Sequence, residues 1–396
     1  TLRLQDDYSL GFQRETPKDG FNIYRAQGKY FDEIQLSHKG IKGSGKLEYL
    51  SSTSVAYNIL FFPDSTNLHT QQFNLLAVRE GIEFPEANNT TTYVHYQPYY
   101  DVMNIYKKQS EFSFYNGQVT LDGDIELRPT GLTGNGIMKL DKAEVTSNFF
   151  MYNTVFFNAD TADLVVHADD LEGIAFESKN LRTHIDLEEK IGMFYSNGSE
   201  SYVRLPENQY ICYIDKLNWQ MDEELLTLGD QLAFEGSGSE FISIHPHQDS
   251  LSFIAKTAIY SLKDYIIHAG GVEEFAIADA IIYPDSGIVT VEKNAVMQTL
   301  YGAKILVDDL TEYHTFTNAT VDIKSANNYT ATGDYTYKDA MNNKQHIFFK
   351  EIRVNEDTIT IARGDVENGK ILHIDSKFDF KGSLEIFSDR RNLTFD

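Results

Sequence analysis

The chain has 396 residues, with 34 Lys and Arg against 59 Asp and Glu, a net charge of -25 and a pI near 4.8. That balance argues against nucleic acid, or an anionic membrane surface, as a partner held by bulk electrostatics. The 26 Phe and 24 Tyr beside a single Trp suit the half-buried face of pleated sheets, and with only 8 Pro the composition excludes collagen-like and disordered classes.

Residues 1–25 form a polar segment without the basic-then-apolar pattern of a leader, and no run approaches the ~18 consecutive apolar residues of a membrane helix. Thr stands at residue 1, and residues 392–396 break off inside what reads as a strand. Both ends predict a piece of a longer or processed chain.

The first clear strand carries Ile34 and Leu36 on one parity. It opens a repeat, because residues 33–49 align without gaps on residues 124–140 at an offset of 91. Gly40, Gly43 and Gly45 fall on Gly131, Gly134 and Gly136. Downstream, Phe61-Phe62 matches Phe156-Phe157 after a small insertion. The pattern reads as strand, Gly turn, strand. The first Gly permits positive φ, and the other two permit a bulge or a close sheet contact. A phosphate loop would need Lys-Ser/Thr and a following helix, and neither is present. Residues 26–115 are thus a first β repeat and residues 116–235 a second.

Within these repeats lies the aromatic run Tyr93-Val94-His95-Tyr96-Gln97-Pro98-Tyr99-Tyr100. Val119, Leu121, Ile125 and Leu127 share one face, with Thr120, Asp122, Asp124 and Glu126 on the other. Turns are predicted at Tyr115-Asn116-Gly117, Leu121-Asp122-Gly123, Ser196-Asn197-Gly198, Pro284-Asp285-Ser286-Gly287 and Glu367-Asn368-Gly369. Residues 215–228 fit either a helix, through Leu217, Met221 and Leu225, or a pair of strands. Residues 236–310 alternate small residues with short apolar runs, as closely stacked strands do. Residues 311–396 form a C-terminal β region in which Phe380-Lys381-Gly382-Ser383 begins a truncated third repeat. The fold class predicted is all-β and mostly antiparallel: elongated repetitive sheet modules of jelly-roll, groove or solenoid type.

Candidate sites are few. Tyr93, Tyr96, Tyr99 and Tyr100 are the ligand-binding candidates, since exposed tyrosine faces stack on sugars or hydrophobic partners. Packing is the competing reading, because alternation turns Tyr96 away from Tyr93 and His95. His245 and His247 at i, i+2, with Asp249, share a strand face as metal ligands do, although Pro246 also suits a turn. Two acidic groups, Asp160, Asp163, Asp169, Asp170 and Glu172, and Asp122 with Asp124, are weighed as calcium ligands against a solvated sheet face. The 59 acidic residues single out no glycosidase pair. Gly236-Ser237-Gly238-Ser239 is a flexible turn, not a nucleophile elbow. Cys212, the single cysteine, sits among apolar strand residues as a buried thiol. No cofactor is expected.

The texture from Ala255 to Ile305 resembles the OstA-like β-jelly-rolls of lipopolysaccharide transport. The Gly-punctuated repeats, with 159–163 and Asn180-Leu181-Arg182, look like the β-groove repeats of AsmA/TamB-type envelope proteins. The whole chain resembles large exported proteins of Bacteroidota. This resemblance implies a periplasmic or outer-membrane-associated, non-enzymatic protein acting as scaffold or conduit in outer-membrane biogenesis. Its partners would be lipid or outer-membrane proteins. The alternatives are a glycan-binding or glycan-degrading β protein, with glycan as partner, and a repeat-built surface adhesin.

Overall fold

The computed structural model describes residues 1–4, 8–25, 28–168, 173–198, 200–229, 238–308, 313–339, 341–366 and 371–395. Strand makes up 65% of the chain and helix 2%, and the sheets are antiparallel, so the fold is all-β. No helix is long and apolar enough to cross a membrane among the described residues. Two compact units divide the chain, Thr1–Asn197 and Gly198–Asp396, and the division falls inside the second sequence repeat.

The strands of the first unit are β1 (Leu2–Leu4), β2 (Leu10–Glu15), β3 (Phe21–Ile23), β4 (Gly28–Ser37), β5 (Gly40–Tyr49), β6 (Ser52–Phe61), β7 (Thr66–His69), β8 (Gln72–Leu75), β9 (Ala87–Asn89), β10 (Thr92–Gln97), β11 (Val102–Lys107), β12 (Phe112–Phe114), β13 (Val119–Arg128), β14 (Gly131–Lys139), β15 (Ala143–Tyr152), β16 (Phe156–His167), β17 (Ile174–Asp186) and β18 (Ile191–Ser196). β6 changes partner along its length. Ser52–Val55 pair with β8 and Ile59–Phe61 with β7. β13 does the same, with β12 along Val119–Leu121 and β11 along Ile125–Leu127. The two branches, β7–β10–β11 and β8–β9–β12, therefore leave β6 and rejoin at β13, which closes an eight-stranded barrel. Its interior is filled by Leu68, Phe73, Val94, Met103, Phe112 and Leu121, each at most 1% exposed.

The repeat is longer in space than in sequence. At the same offset of 91, Phe12↔Leu36 corresponds to Met103↔Leu127 and Phe21↔Tyr30 to Phe112↔Leu121. Strands β2 to β6 thus reappear as β11 to β15. The turn after each copy also matches without a gap, since Phe62 N–H donates to Ser65 and Asn153 N–H to Phe156. Phe61 therefore corresponds to Tyr152, and the shifted match of Phe61-Phe62 to Phe156-Phe157 is corrected.

The glycines mark a crease. Register shifts between Gly43 and Gly45 in one copy, and between Gly134 and Gly136 in the other. Bulges bend a strand and sharpen its twist. The bend falls where β6 passes from one branch to the other. Gly123 sits at the equivalent switch in β13, facing Gly136, where a Cβ would lie 1.9 Å from the Asn135 carbonyl oxygen. Leu121-Asp122-Gly123 is therefore a straight run through a strand, not a turn: its glycine answers close approach, not chain reversal.

In the second unit the strands are β19 (Tyr202–Leu205), β20 (Tyr210–Tyr213), β21 (Lys216–Gln220), β22 (Leu225–Gly229), β23 (Ser239–Ser243), β24 (Ser252–Ala255), β25 (Thr257–Ser261), β26 (Ile266–Gly270), β27 (Phe275–Ile277), β28 (Ala280–Tyr283), β29 (Ile288–Val291), β30 (Leu300–Val307), β31 (His314–Ser325), β32 (Asn328–Lys338), β33 (Lys344–Val354), β34 (Thr360–Asp365), β35 (Leu372–His373), β36 (Asp379–Phe380), β37 (Ser383–Phe387) and β38 (Thr394–Phe395). The chain again alternates between branches, β19–β20–β23–β24 and β21–β22–β25–β26–β29. A nine-stranded sheet follows from β27 to β38. Its long strands carry bulges at Thr317/Thr320, Ala331/Gly333 and Phe349/Glu351. Residues 215–228 resolve as the hairpin β21–β22, closed by Glu224 N–H on the Met221 carbonyl. Phe380 to Ile386 runs from β36 into β37, which pairs with β34 and β38, so it does not form the Gly-punctuated hairpin of a third copy. The Glu367-Asn368-Gly369 turn and the Gly236-Ser237 half of the serine-glycine turn lie outside the described residues.

Candidate functional site

The tyrosine run does not make one binding face. β10 is a barrel strand, and its inward parity buries Thr92, Val94 and Tyr96. Tyr96 is fully buried against Tyr49, with ring centroids 4.6 Å apart. Neither hydroxyl has a hydrogen-bond partner among the described residues. Burial pushes the Tyr49 phenol up to about 12 and the Tyr96 phenol higher still. Tyr93 faces outward, stacked on Tyr106 at 5.9 Å with the Lys108 ammonium over its ring. Tyr99 and Tyr100 are exposed on the short 3-10 turn Pro98–Tyr100. Tyr96 is therefore a core residue, and the other three occupy two separate places.

His245 and His247 lie on a turn after β23, not on a strand. The His247 N–H donates to His245 Nδ1 at 3.1 Å, which spends that nitrogen's lone pair. Their rings are 5.6 Å apart, and Asp249 holds positive φ in the same turn. Among the described residues no group of three His, Cys, Asp or Glu side chains is placed to hold a metal. The metal reading of His245, His247 and Asp249 is thus corrected, because the strand premise that aligned them fails.

The acidic clusters serve the sheet. Asp124 accepts from the Lys107 N–H at 2.8 Å, and Asp163 from the Asn180 N–H at 3.0 Å, so each carboxylate satisfies a strand amide. Asp122 pairs with Lys107, whose ammonium holds its carboxyl below the usual range. Asp169, Asp170 and Glu172 lie outside the described residues. Cys212 is buried in β20, and burial pushes its thiol well up, leaving it protonated and inert.

A cleft of about 850 Å³ in the second unit is the arrangement the sequence did not reveal. Tyr313, Tyr335, Tyr337 and Phe395 give it aromatic walls, and Lys338 and Arg391 give it charge. No carboxylate stands among its described lining residues, and neither cation has an ion-pair partner among the described residues. One wall is fixed by His314, which is buried. Its Nε2–H donates to the Arg390 carbonyl at 2.7 Å, and its Nδ1 accepts from the Tyr335 hydroxyl at 3.1 Å. This is the pattern of the neutral ring, which burial favours by holding the imidazole below its usual titration range. The available sequence signal was the alternation of Tyr335 with Tyr337 and the Arg390-Arg391 pair in an acidic chain.

No family model, curated protein or solved structure matches this chain.

Proposed function

We propose that this chain is a non-enzymatic structural protein of the bacterial cell envelope, built from repeated folded-sheet modules that serve as scaffold in outer-membrane biogenesis. The observation that carries this reading is the duplication of β2–β6 as β11–β15, with identical pairing and creases at matching glycines. Repetition of a sheet module that buries its face on its neighbour is the construction of scaffolds. The packed barrel supports scaffold over a channel through it. The envelope setting is supported by the resemblance to OstA-like and AsmA/TamB-type repeats. Fractionation of the native host tests it. The chain should sediment with the envelope, and its deletion should raise permeability to bulky hydrophobic antibiotics. Recovery in the cytosolic fraction with unchanged permeability overturns it.

A second reading, glycan binding, is favoured by the cleft. In a chain of net charge -25, a recess lined by aromatics, two cations and the hydroxyls of Thr315, Thr317 and Thr336 suits an acidic oligosaccharide. Titration with a uronic-acid oligosaccharide should show binding that weakens about tenfold in Arg391→Ala, or ~1.4 kcal/mol. No binding by the unaltered chain removes this reading.

A further inference from the structure

The sheet's core-facing parity continues past the packed interior to the N-terminal edge, where it lies bare. Leu2 pairs with Phe12, Phe12 with Leu36, Leu36 with Ile41 and Ile41 with Phe61, so these side chains form one row across five strands. Directly opposed residues share a sheet face. The same parity carries Tyr30 and Leu47, which are fully buried. Yet Leu2, Phe12, Leu36 and Ile41 are 56%, 60%, 48% and 40% exposed, and Leu4 and Leu10 beside them are also exposed.

The internal repeat shows what covers such a row. Phe12, Leu36, Ile41 and Phe61 correspond to Met103, Leu127, Leu132 and Tyr152. All four of the latter are buried. The difference lies in what is attached to the edge. In the second copy β10 carries β7 on its outer side, β12 carries β9, and the barrel closes through β6 and β8. In the first copy β1 holds the place of β10, and β3 that of β12. Beyond their pairings with β2 and β4, neither has a strand on its outer side among the described residues. Strands β1, β2, β4 and β3 therefore match β10, β11, β13 and β12, four of the eight strands of the closed barrel.

We infer that this edge is a docking surface for another β module, which supplies the equivalents of the remaining four: one long bent strand and three short ones. One short strand would add to β1 and another to β3. The element required is the kind that β6–β9 form. It recurs in β33–β36: β34 pairs with β33 and β37, and β35 with β36. The Gln345 side chain ties β35 to the first half of β33 through His373. The donor's inward residues would be apolar, as Leu68, Phe73, Leu75 and Ala87 are in the closed barrel. Edge addition of this kind takes its affinity from main-chain hydrogen bonds and its specificity from alternate side chains.

The inference deepens the scaffold reading and rests on it. Photo-crosslinking residues are placed in the full chain in its native host at Phe12 and Leu36, with Gln13 and Gln35 on the opposite face as controls. The expected result is polypeptide adducts at the first two positions, with the linked peptide mapping to a long strand or its flanking short strands in a β module. Leu2→Glu combined with Leu36→Glu should abolish the adducts at Phe12 while leaving the melting temperature of the purified chain within about 2 °C, since both side chains are already exposed. In β33–β36 the strand equivalent to β7 is β34, whose outer edge β37 already fills, so an adduct to β33–β36 of a second copy would overturn the strand addition. Lipid adducts at Phe12 and Leu36, or adducts no more abundant than at Gln13 and Gln35, overturn it. Fractionation with the envelope would survive that failure, so the two readings fail separately.

Discussion

Tyr96 shows how a single hydroxyl can work against the fold that buries it. The phenol stands among apolar barrel side chains with no hydrogen-bond partner among the described residues, as does Tyr49 beside it. A buried unsatisfied polar group costs about 1–3 kcal/mol, and removing it while keeping the ring leaves packing intact. Tyr96→Phe is expected to stabilise the chain by about 1 kcal/mol, read as a higher urea midpoint at unchanged slope. A lower midpoint would show that the hydroxyl is satisfied. His314 offers the opposite case, a polar group whose bonds fix a segment. Its folded titration lies below the usual 6.5, so as pH falls through about 6.5 the unfolded chain binds more protons than the native one. Stability from the neutral ring is present above that pH and is lost as the pH falls through the lower, folded value. The midpoint of the unaltered chain should fall more between about pH 7 and about pH 5 than that of His314→Gln, whose amide keeps the bond to the Arg390 carbonyl without titrating. Equal slopes would rule out His314 as the group responsible.

At the scale of the strand, the repeated glycines answer two separable demands, one at the turn and one at the crease. Gly40 and Gly131 hold φ of +98° and +141° in open space, so they answer conformation alone. Gly45 and Gly136 combine φ of +148° and +125° with contact: a Cβ would stand 2.3 Å from the Phe31 carbonyl oxygen, or 2.2 Å from that of Asp122. Gly136→Ala should therefore cost at least about 2 kcal/mol, and Gly131→Ala about 1, in denaturant unfolding. The reverse order would mean that the crease is not sterically set. These glycines were legible in the sequence because the repeat exposed them, as was the outward set of β13. The parity that buries Tyr96 was legible too. The hairpin at 215–228 was not, because Leu217, Met221 and Leu225 satisfy a helical period and only pairing with β25 selects the strand. Nor was the equivalence of β2 and β3 with β11 and β12, where Phe12 answers Met103 and little but apolar character is kept. Barrel closure and the Tyr313–Phe395 cleft join residues distant along the chain, and no local pattern encodes such pairings.

Across the whole molecule, charge sets a cost that the sheets must carry. The described ion pairs are largely solvent-facing, including Lys46–Glu48 and Arg353–Glu351 along single strands and Arg363–Glu385 between strands. Exposed pairs contribute about 0–1 kcal/mol each, and salt weakens them. Against them stands an excess of 25 negative charges, whose mutual repulsion in the compact state salt also weakens. The two effects oppose one another, and the count decides between them: 34 cations can neutralise at most 34 of 59 acids, so repulsion outweighs the pairing. Raising sodium chloride from about 0.01 M to about 0.15 M, which shortens the screening length from about 30 Å to about 8 Å, should raise the melting temperature. The rise should be largest where the acids are most crowded and saturate once the screening length falls below their spacing. Chloride salts are the right choice for this measurement, because sulfate or phosphate would strengthen apolar burial by exclusion and imitate the effect. A melting temperature that falls with sodium chloride would show that the cross-strand pairs outweigh the repulsion, and that the acids on the outer sheet faces are placed for their cations.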